Sequence, residues 1–118
     1  MPNTGENPYA PSPADEALTR GNVYIDSVEL LTLESYPLQF MLSIKGNLPT
    51  PCNQLRISAG QPDATNNRID VEVYSVANPD RMCTQVLSPF EANYPLGSFP
   101  TGKYSIWVNG EMVAEFQS

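Results

Sequence analysis

Leu38, Phe40, Leu42 and Ile44 alternate with Gln39, Met41, Ser43 and Lys45. Successive side chains of a strand point to opposite faces, so the pattern predicts a strand over Leu38–Lys45 with one buried face and one mostly wet. Gly46-Asn47 is its expected end. The alternation returns over Cys52–Ala59, where Leu55, Ile57 and Ala59 oppose Gln54, Arg56 and Ser58. It returns again over Arg68–Val76, where Ile69, Val71 and Val73 oppose Asp70, Glu72 and Tyr74. Val23–Leu33 is strand-forming but loses its alternation around Asp26-Ser27, which predicts a bulge or a switch between sheets. Met82–Leu87 and the proline-interrupted Phe90–Leu96 read as shorter strands. Leu48–Pro51 holds two prolines without N–H donors and is expected to stand outside any central ladder. Tyr36-Pro37, the polar Gly60–Asn67, Ala77–Asp80 and Gly97–Gly102 read as turns and loops.

The clearest local signal is the last one. Two strand-forming runs in Gly102–Phe116 flank Asn109-Gly110, a dipeptide that accepts the positive φ of a two-residue type I′ turn. Such a turn pairs Val108 with Glu111, Ile106 with Val113 and Tyr104 with Glu115. A one-residue bulge would re-sort the second strand, so the register stays open. The face with Tyr104, Ile106, Val108 and Val113 is the richer in β-branched residues and is the expected inner one. Trp107, Met112 and Phe116 then lie outward, as a candidate binding patch.

Seven or eight short strands, turn signals about every ten residues and no long helical period predict an antiparallel two-sheet sandwich, with a barrel as the alternative. The sandwich is expected over residues 22–118. Residues 1–21, with Pro2, Pro8, Pro11 and Pro13 among small polar and acidic residues, read as a disordered tail or linker. Ala14–Arg20 has scope for one helical turn, too short to be stable alone.

Charge and chemistry narrow the picture. Thirteen carboxylates against six Lys and Arg give a net charge of −7, which repels phosphate backbones, so nucleic acid is not an expected partner. No apolar run is long enough to span a bilayer. Met1 is followed by Pro, Asn, Gly and Glu with no basic start or apolar core of a signal peptide, so a cytosolic protein or an already processed segment is expected. The sequence contains no His. That removes the commonest general base and metal ligand, and with them the usual Ser-His and Cys-His pairs. Asp70 and Glu72 share a strand face but read as solvated acids beside Arg56 or Arg68. No enzyme, catalytic residue or cofactor is expected.

Cys52 and Cys83 form an even, well-separated pair, which suggests a disulfide; two buried free thiols are the alternative. A bridge would place the working protein outside a reducing cytosol. Asp63, Asn66, Asn67 and Asp70 offer oxygens of the kind calcium prefers, without the EF-hand pattern. Tyr24, Tyr74, Tyr94 and Trp107 could form an aromatic platform for sugar or peptide. The proline-stiffened stretches Leu48–Pro51 and Tyr94–Thr101 would suit a protease inhibitor, since a stiff loop loses little entropy on binding.

Gly46-Asn47-Leu48-Pro49-Thr50-Pro51-Cys52, Cys83-Thr84-Gln85, Pro89-Phe90-Glu91 and Gly102–Gly110 together resemble a family of small bacterial exported or lipid-anchored proteins. The resemblance covers about the last three quarters of the chain. It implies an immunoglobulin-like β-sandwich in the cell envelope or outside the cell, with any lipid anchor outside this stretch, since the lipid-bearing cysteine is absent. The expected function is a binding or adhesion-type module for a protein or glycan at the cell surface. The alternatives are a protease inhibitor and a structural accessory domain.

Overall fold

The computed structural model describes residues 9–34 and 36–118. Among them are eight strands: β1 (Thr19–Gly21), β2 (Tyr24–Leu33), β3 (Gln39–Leu48), β4 (Gln54–Ala59), β5 (Arg68–Ala77), β6 (Ser88–Gly97), β7 (Lys103–Val108) and β8 (Glu111–Gln117). They form a β-sandwich. One sheet has three strands in the order β2-β3-β6, and the other holds β1, β4, β5, β7 and β8. The alternating residues meet between them: Leu42, Ile44 and Leu48 from β3, Leu55 and Ile57 from β4, Ile69, Val71 and Val73 from β5, and Tyr104, Ile106 and Val108 from β7.

β5 is the hub. β4 pairs with it antiparallel along Val71–Val76. On the opposite edge, β7 pairs with Arg68–Val71 and β1 with Ser75–Ala77. The β5–β7 pair is parallel, the one departure here from the expected antiparallel order. It arises because β6 lies in the other sheet, so the chain crosses the sandwich twice between β5 and β7.

β3 continues past its expected end to Leu48, pairing with Tyr24–Leu33 on one side and Ser88–Gly97 on the other. Gly46 is compatible with this central position for a steric reason. A Cβ there would run into the carbonyl oxygen of Tyr24 and come within 3.1 Å of the Phe90 ring. β6 tolerates Pro89 and Pro95 because it is an edge strand. The irregularity expected near Asp26-Ser27 is a register shift between Ile25 and Ser27.

Two expectations are corrected. Met82–Leu87 is not a strand: it is an irregular crossover from β5 to β6, and Met82, Val86 and Leu87 are exposed. A segment that leaves one sheet for the other has no neighbour to ladder with. Residues 9–21 are not a free tail, although residues 1–8 lie outside the described part. Ser12 caps a 3-10 helix, Pro13–Ala17, through a capping box with Asp15. Asp15 then grips Arg56 with two hydrogen bonds of 3.0 and 3.1 Å. Tyr9 accepts a hydrogen bond from the Ile57 N–H, and Thr19–Gly21 joins β5. Long-range pairing thus orders a stretch whose composition alone would leave it loose.

Cys52 and Cys83 are disulfide-bonded, with Cα atoms 6.1 Å apart. The bond joins the β3–β4 crossover to the β5–β6 crossover, at one end of the sandwich. Beside it, Asn53 donates to the buried Ser75 hydroxyl, which donates to the Asn22 carbonyl.

Candidate binding face

The outer face of the five-stranded sheet is set by the other half of the alternation. In β5 the outward residues are Arg68, Asp70, Glu72 and Tyr74, and in β7 they include Ser105 and Trp107. The parallel register sets Arg68 beside Ser105 and Asp70 beside Trp107. The Arg68 guanidinium lies 3.9 Å from the centroid of the Trp107 ring, and its Nε donates to Asp70 Oδ1 at 3.0 Å. Trp107 Nε1 donates to Ser105 Oγ at 3.1 Å. A second stack repeats the design: the Arg20 guanidinium is 3.8 Å from the Tyr74 ring centroid and 2.9 Å from Glu72. Each cation meets a ring quadrupole and a carboxylate together, which holds flat side chains flat against the sheet.

The hairpin determines what joins this face. Asn109 and Gly110 have φ of 51° and 89°, as a type I′ turn requires. The register then shifts between Ile106 and Trp107, so Val108 pairs with Glu111, Trp107 with Met112, Ile106 with Ala114 and Tyr104 with Phe116. Trp107 and the exposed Met112 therefore share the outer face. Phe116 does not. The bulge at Val113 turns it inward, where its ring stacks on Tyr104 at 5.2 Å and meets Phe40 at 4.2 Å. The expected outward trio is thus a pair, and Phe116 belongs to the aromatic cluster with Phe40, Phe99 and Tyr104.

Other expected sites are dispersed. Tyr24 is exposed on the three-stranded sheet and Tyr94 is buried between the sheets, so only Tyr74 and Trp107 share a face. Asp63 accepts hydrogen bonds from the Thr65 N–H and the Asn66 side chain, Asn67 Nδ2 donates to the Lys103 carbonyl, and Asp70 holds Arg68. These four residues serve the loop and the sheet. Among the described residues, no three His, Cys, Asp or Glu side chains converge as a metal site would require. The acids Asp70 and Glu72 are neutralised by Arg68 and Arg20, not by Arg56, which is turned to Asp15. Arg20 escaped the sequence reading because it falls in the stretch taken for a tail.

A cleft of about 650 Å³ opens between the sheets at the end opposite the disulfide, lined in part by Gln61, Asn67, Tyr94, Phe99 and Tyr104. Two of its polar side chains are already committed within the fold: Tyr104 donates to the Pro100 carbonyl and Asn67 to that of Lys103. Burial pushes the Tyr94 phenol above its usual range, partly offset by a hydrogen bond with the Ala59 backbone. The cleft holds no carboxylate pair or activated nucleophile. No helix among the described residues is long and apolar enough to cross a membrane.

Two layers of laddered strands, closed at one end by a disulfide and covered on one outer face by arginine-on-aromatic stacks, define a β-sandwich domain. Residues 42–118 match the family described as the ORF11 beta-sandwich domain, and the chain belongs to that family. It is 34% identical over 86 residues to the "Uncharacterized 10.2 kDa protein in HgiCIIM 5'region" of Herpetosiphon aurantiacus, covering 72% of this chain and 89% of that protein. It is 33% identical over 76 residues to the "Uncharacterized 10.2 kDa protein in HgiBIM 5'region" of the same organism, covering 64% and 90% of the two chains. No solved structure matches the chain.

Proposed function

We propose that the domain is a non-enzymatic binding module of the bacterial envelope or exterior, which meets a protein partner through the sheet face around Trp107 and Met112. The observation that carries this reading is the Arg68–Trp107 stack, fixed by Asp70 and Ser105. Trp, Tyr and Arg are the residues most enriched at the energetic centres of protein interfaces, and rigid aromatic anchors lose little entropy on docking. The disulfide supports a working place outside a reducing cytosol. Any lipid anchor would lie outside this stretch. Inhibition of a protease through proline-stiffened loops is less favoured, because Tyr94–Gly97 is built into β6 and is not a free loop.

The test is a comparison of wild type with Trp107→Ala/Met112→Ala, each immobilised and exposed to bacterial envelope extract. A partner held by wild type and released by the double variant supports the reading. Equal capture by both, or capture by neither, overturns it.

A further inference from the structure

The sandwich has several outer strand edges, and they differ in protection. An unpaired edge displays N–H and C=O groups that invite another strand, so folds usually blunt it. The β4 edge is met by Tyr9, whose carbonyl takes the Ile57 N–H. The β6 edge is interrupted by Pro89 and Pro95, which have no donor. The β8 edge carries Glu111, Glu115 and the bulge at Val113. β2 is ten residues long and pairs, among the described residues, only with β3. From Ser27 to Leu33 its register is regular, with no Pro, no Lys and a single acid, Glu29. Leu31 and Leu33 are exposed on its outer face, Leu31 beside Met41, and Tyr36 and Leu38 are exposed at the connection to β3.

We propose that this edge is a self-association surface whose partner is the β2 strand of a second copy, paired antiparallel about a two-fold axis. A two-fold axis perpendicular to the sheet pairs a strand with its own reversed copy, so the interface is self-complementary without a second kind of surface. Three-stranded sheets of two copies then become one continuous six-stranded sheet.

Charge narrows the choice of register. The acids near this edge are Asp26, Glu29 and Glu34. Like faces must stay on the same side, so the axis stands between the two strands, level with a residue of β2. An axis at Leu30 sets Glu34 opposite the partner's Asp26 and is disfavoured. An axis at Leu31 sets Glu29 opposite the partner's Leu33 and Glu34 opposite the partner's Val28, so no two acids face each other. Leu31 then meets its own copy on the outer face. One strand edge with a few leucines is a small interface, which makes the association weak and concentration-dependent. Each copy carries −7, so screening of the mutual repulsion should tighten it as salt rises.

Sedimentation equilibrium of the disulfide-bonded protein, from about 10 μM to about 1 mM, tests this. A monomer–dimer equilibrium is expected, strengthened by added sodium chloride. Leu31→Glu/Leu33→Glu should weaken it by at least about tenfold while the thermal transition persists, since each added carboxylate then faces a carboxylate of the partner. If that double variant fails to fold, Leu33→Glu alone serves, since Leu33 is the more exposed of the two and faces the partner's Glu29. Trp107→Ala/Met112→Ala should leave the dimer intact, which keeps this surface separable from the proposed partner face. A monomer at every concentration, a dimer weakened by salt, or a dimer that survives the glutamate substitutions overturns the proposal.

Discussion

The side chain of Asn109 pairs with the main chain of Val73 as a neighbouring strand would. Its Oδ1 accepts the Val73 N–H and its Nδ2 donates to the Val73 carbonyl, both at 2.9 Å. Its own N–H donates to the Val71 carbonyl. The position explains the arrangement. β7 leaves the β5 edge at Val71 and β1 arrives at Ser75, so Val73 falls in the gap, and it is 2% exposed. One residue thus forms the hairpin turn and closes the ladder.

Asn109→Gly keeps the positive φ and removes only the carboxamide. It should destabilise the domain by about 2 kcal/mol, since a buried N–H and C=O each lose a partner. Asn109→Asp keeps the acceptor for the Val73 N–H but aims a carboxylate oxygen at the Val73 carbonyl, and should also destabilise. Urea melts of the two variants against wild type measure both losses; a wild-type midpoint for Asn109→Gly would remove the ladder role.

The bulge at Val113 predicts opposite outcomes for two aromatic truncations. Trp107→Ala loses a partly buried ring and its contact with Arg68, a cost of about 1–2 kcal/mol. Phe116→Ala removes a ring packed on Phe40, Phe99 and Tyr104 and should cost about 3 kcal/mol or more. Denaturant melts that reverse this order would reverse the register.

Asp15 should show its partner in acid. Hydrogen bonds from Arg56 and from the Ser12 backbone hold its carboxyl below the ordinary aspartate range. A carboxyl with a depressed folded-state pKa stabilises the fold above its unfolded value, about pH 4, and that contribution fades as pH falls through the folded value. The melting-temperature gap between wild type and Asp15→Asn should therefore be full at pH 6 to 7 and close as the pH falls below about 4. A gap independent of pH would mean that the ionised pair does not hold the 3-10 helix. The same docking predicts that deletion of residues 1–21 lowers the melting temperature by several degrees, because β1 and the Arg56 pair go with it.

Reduction of the disulfide should act on the β5–β6 crossover first. Among the described residues, the hydrogen bonds of Asn78–Leu87 beyond the strands are local: Arg81 to Asn78, Asp80 to Asn78, Val86 to Thr84 and Gln85 to Cys83. Cys83 is therefore its tie to the rest of the fold. Closing a loop across a sequence separation of 31 contributes about 3–4 kcal/mol in the chain-entropy model. Limited trypsin digestion with mass spectrometry should find Arg81 cut soon after reduction and slowly before it. Equal rates would show that the bridge does not brace the loop.

The strands that carry the core were legible because β3, β4 and β5 each bury one face, and burial of one face writes a period of two into the sequence. Trp107 and Met112 were legible as outward residues for the same reason. Phe116 was not, since a single extra residue at Val113 reverses every side chain beyond it and leaves no mark in composition. Residues 9–21 were misread for a different cause. Their order comes from Arg56, Ile57 and β5, all distant in sequence, and local propensity carries no trace of such partners. Met82–Leu87 shows the converse: strand-forming residues without an open edge to pair with remain irregular.

β5 draws its partners from both ends of the chain, Thr19–Gly21 on one side and the hairpin after Lys103 on the other. A chain that emerges residue by residue cannot complete its central strand until Asn109 is free. The three-stranded sheet has all its strands by Gly97, whereas the five-stranded sheet stays unfinished until the final hairpin is made. Such nonlocal topologies fold in milliseconds to seconds, slower than helical domains of equal size.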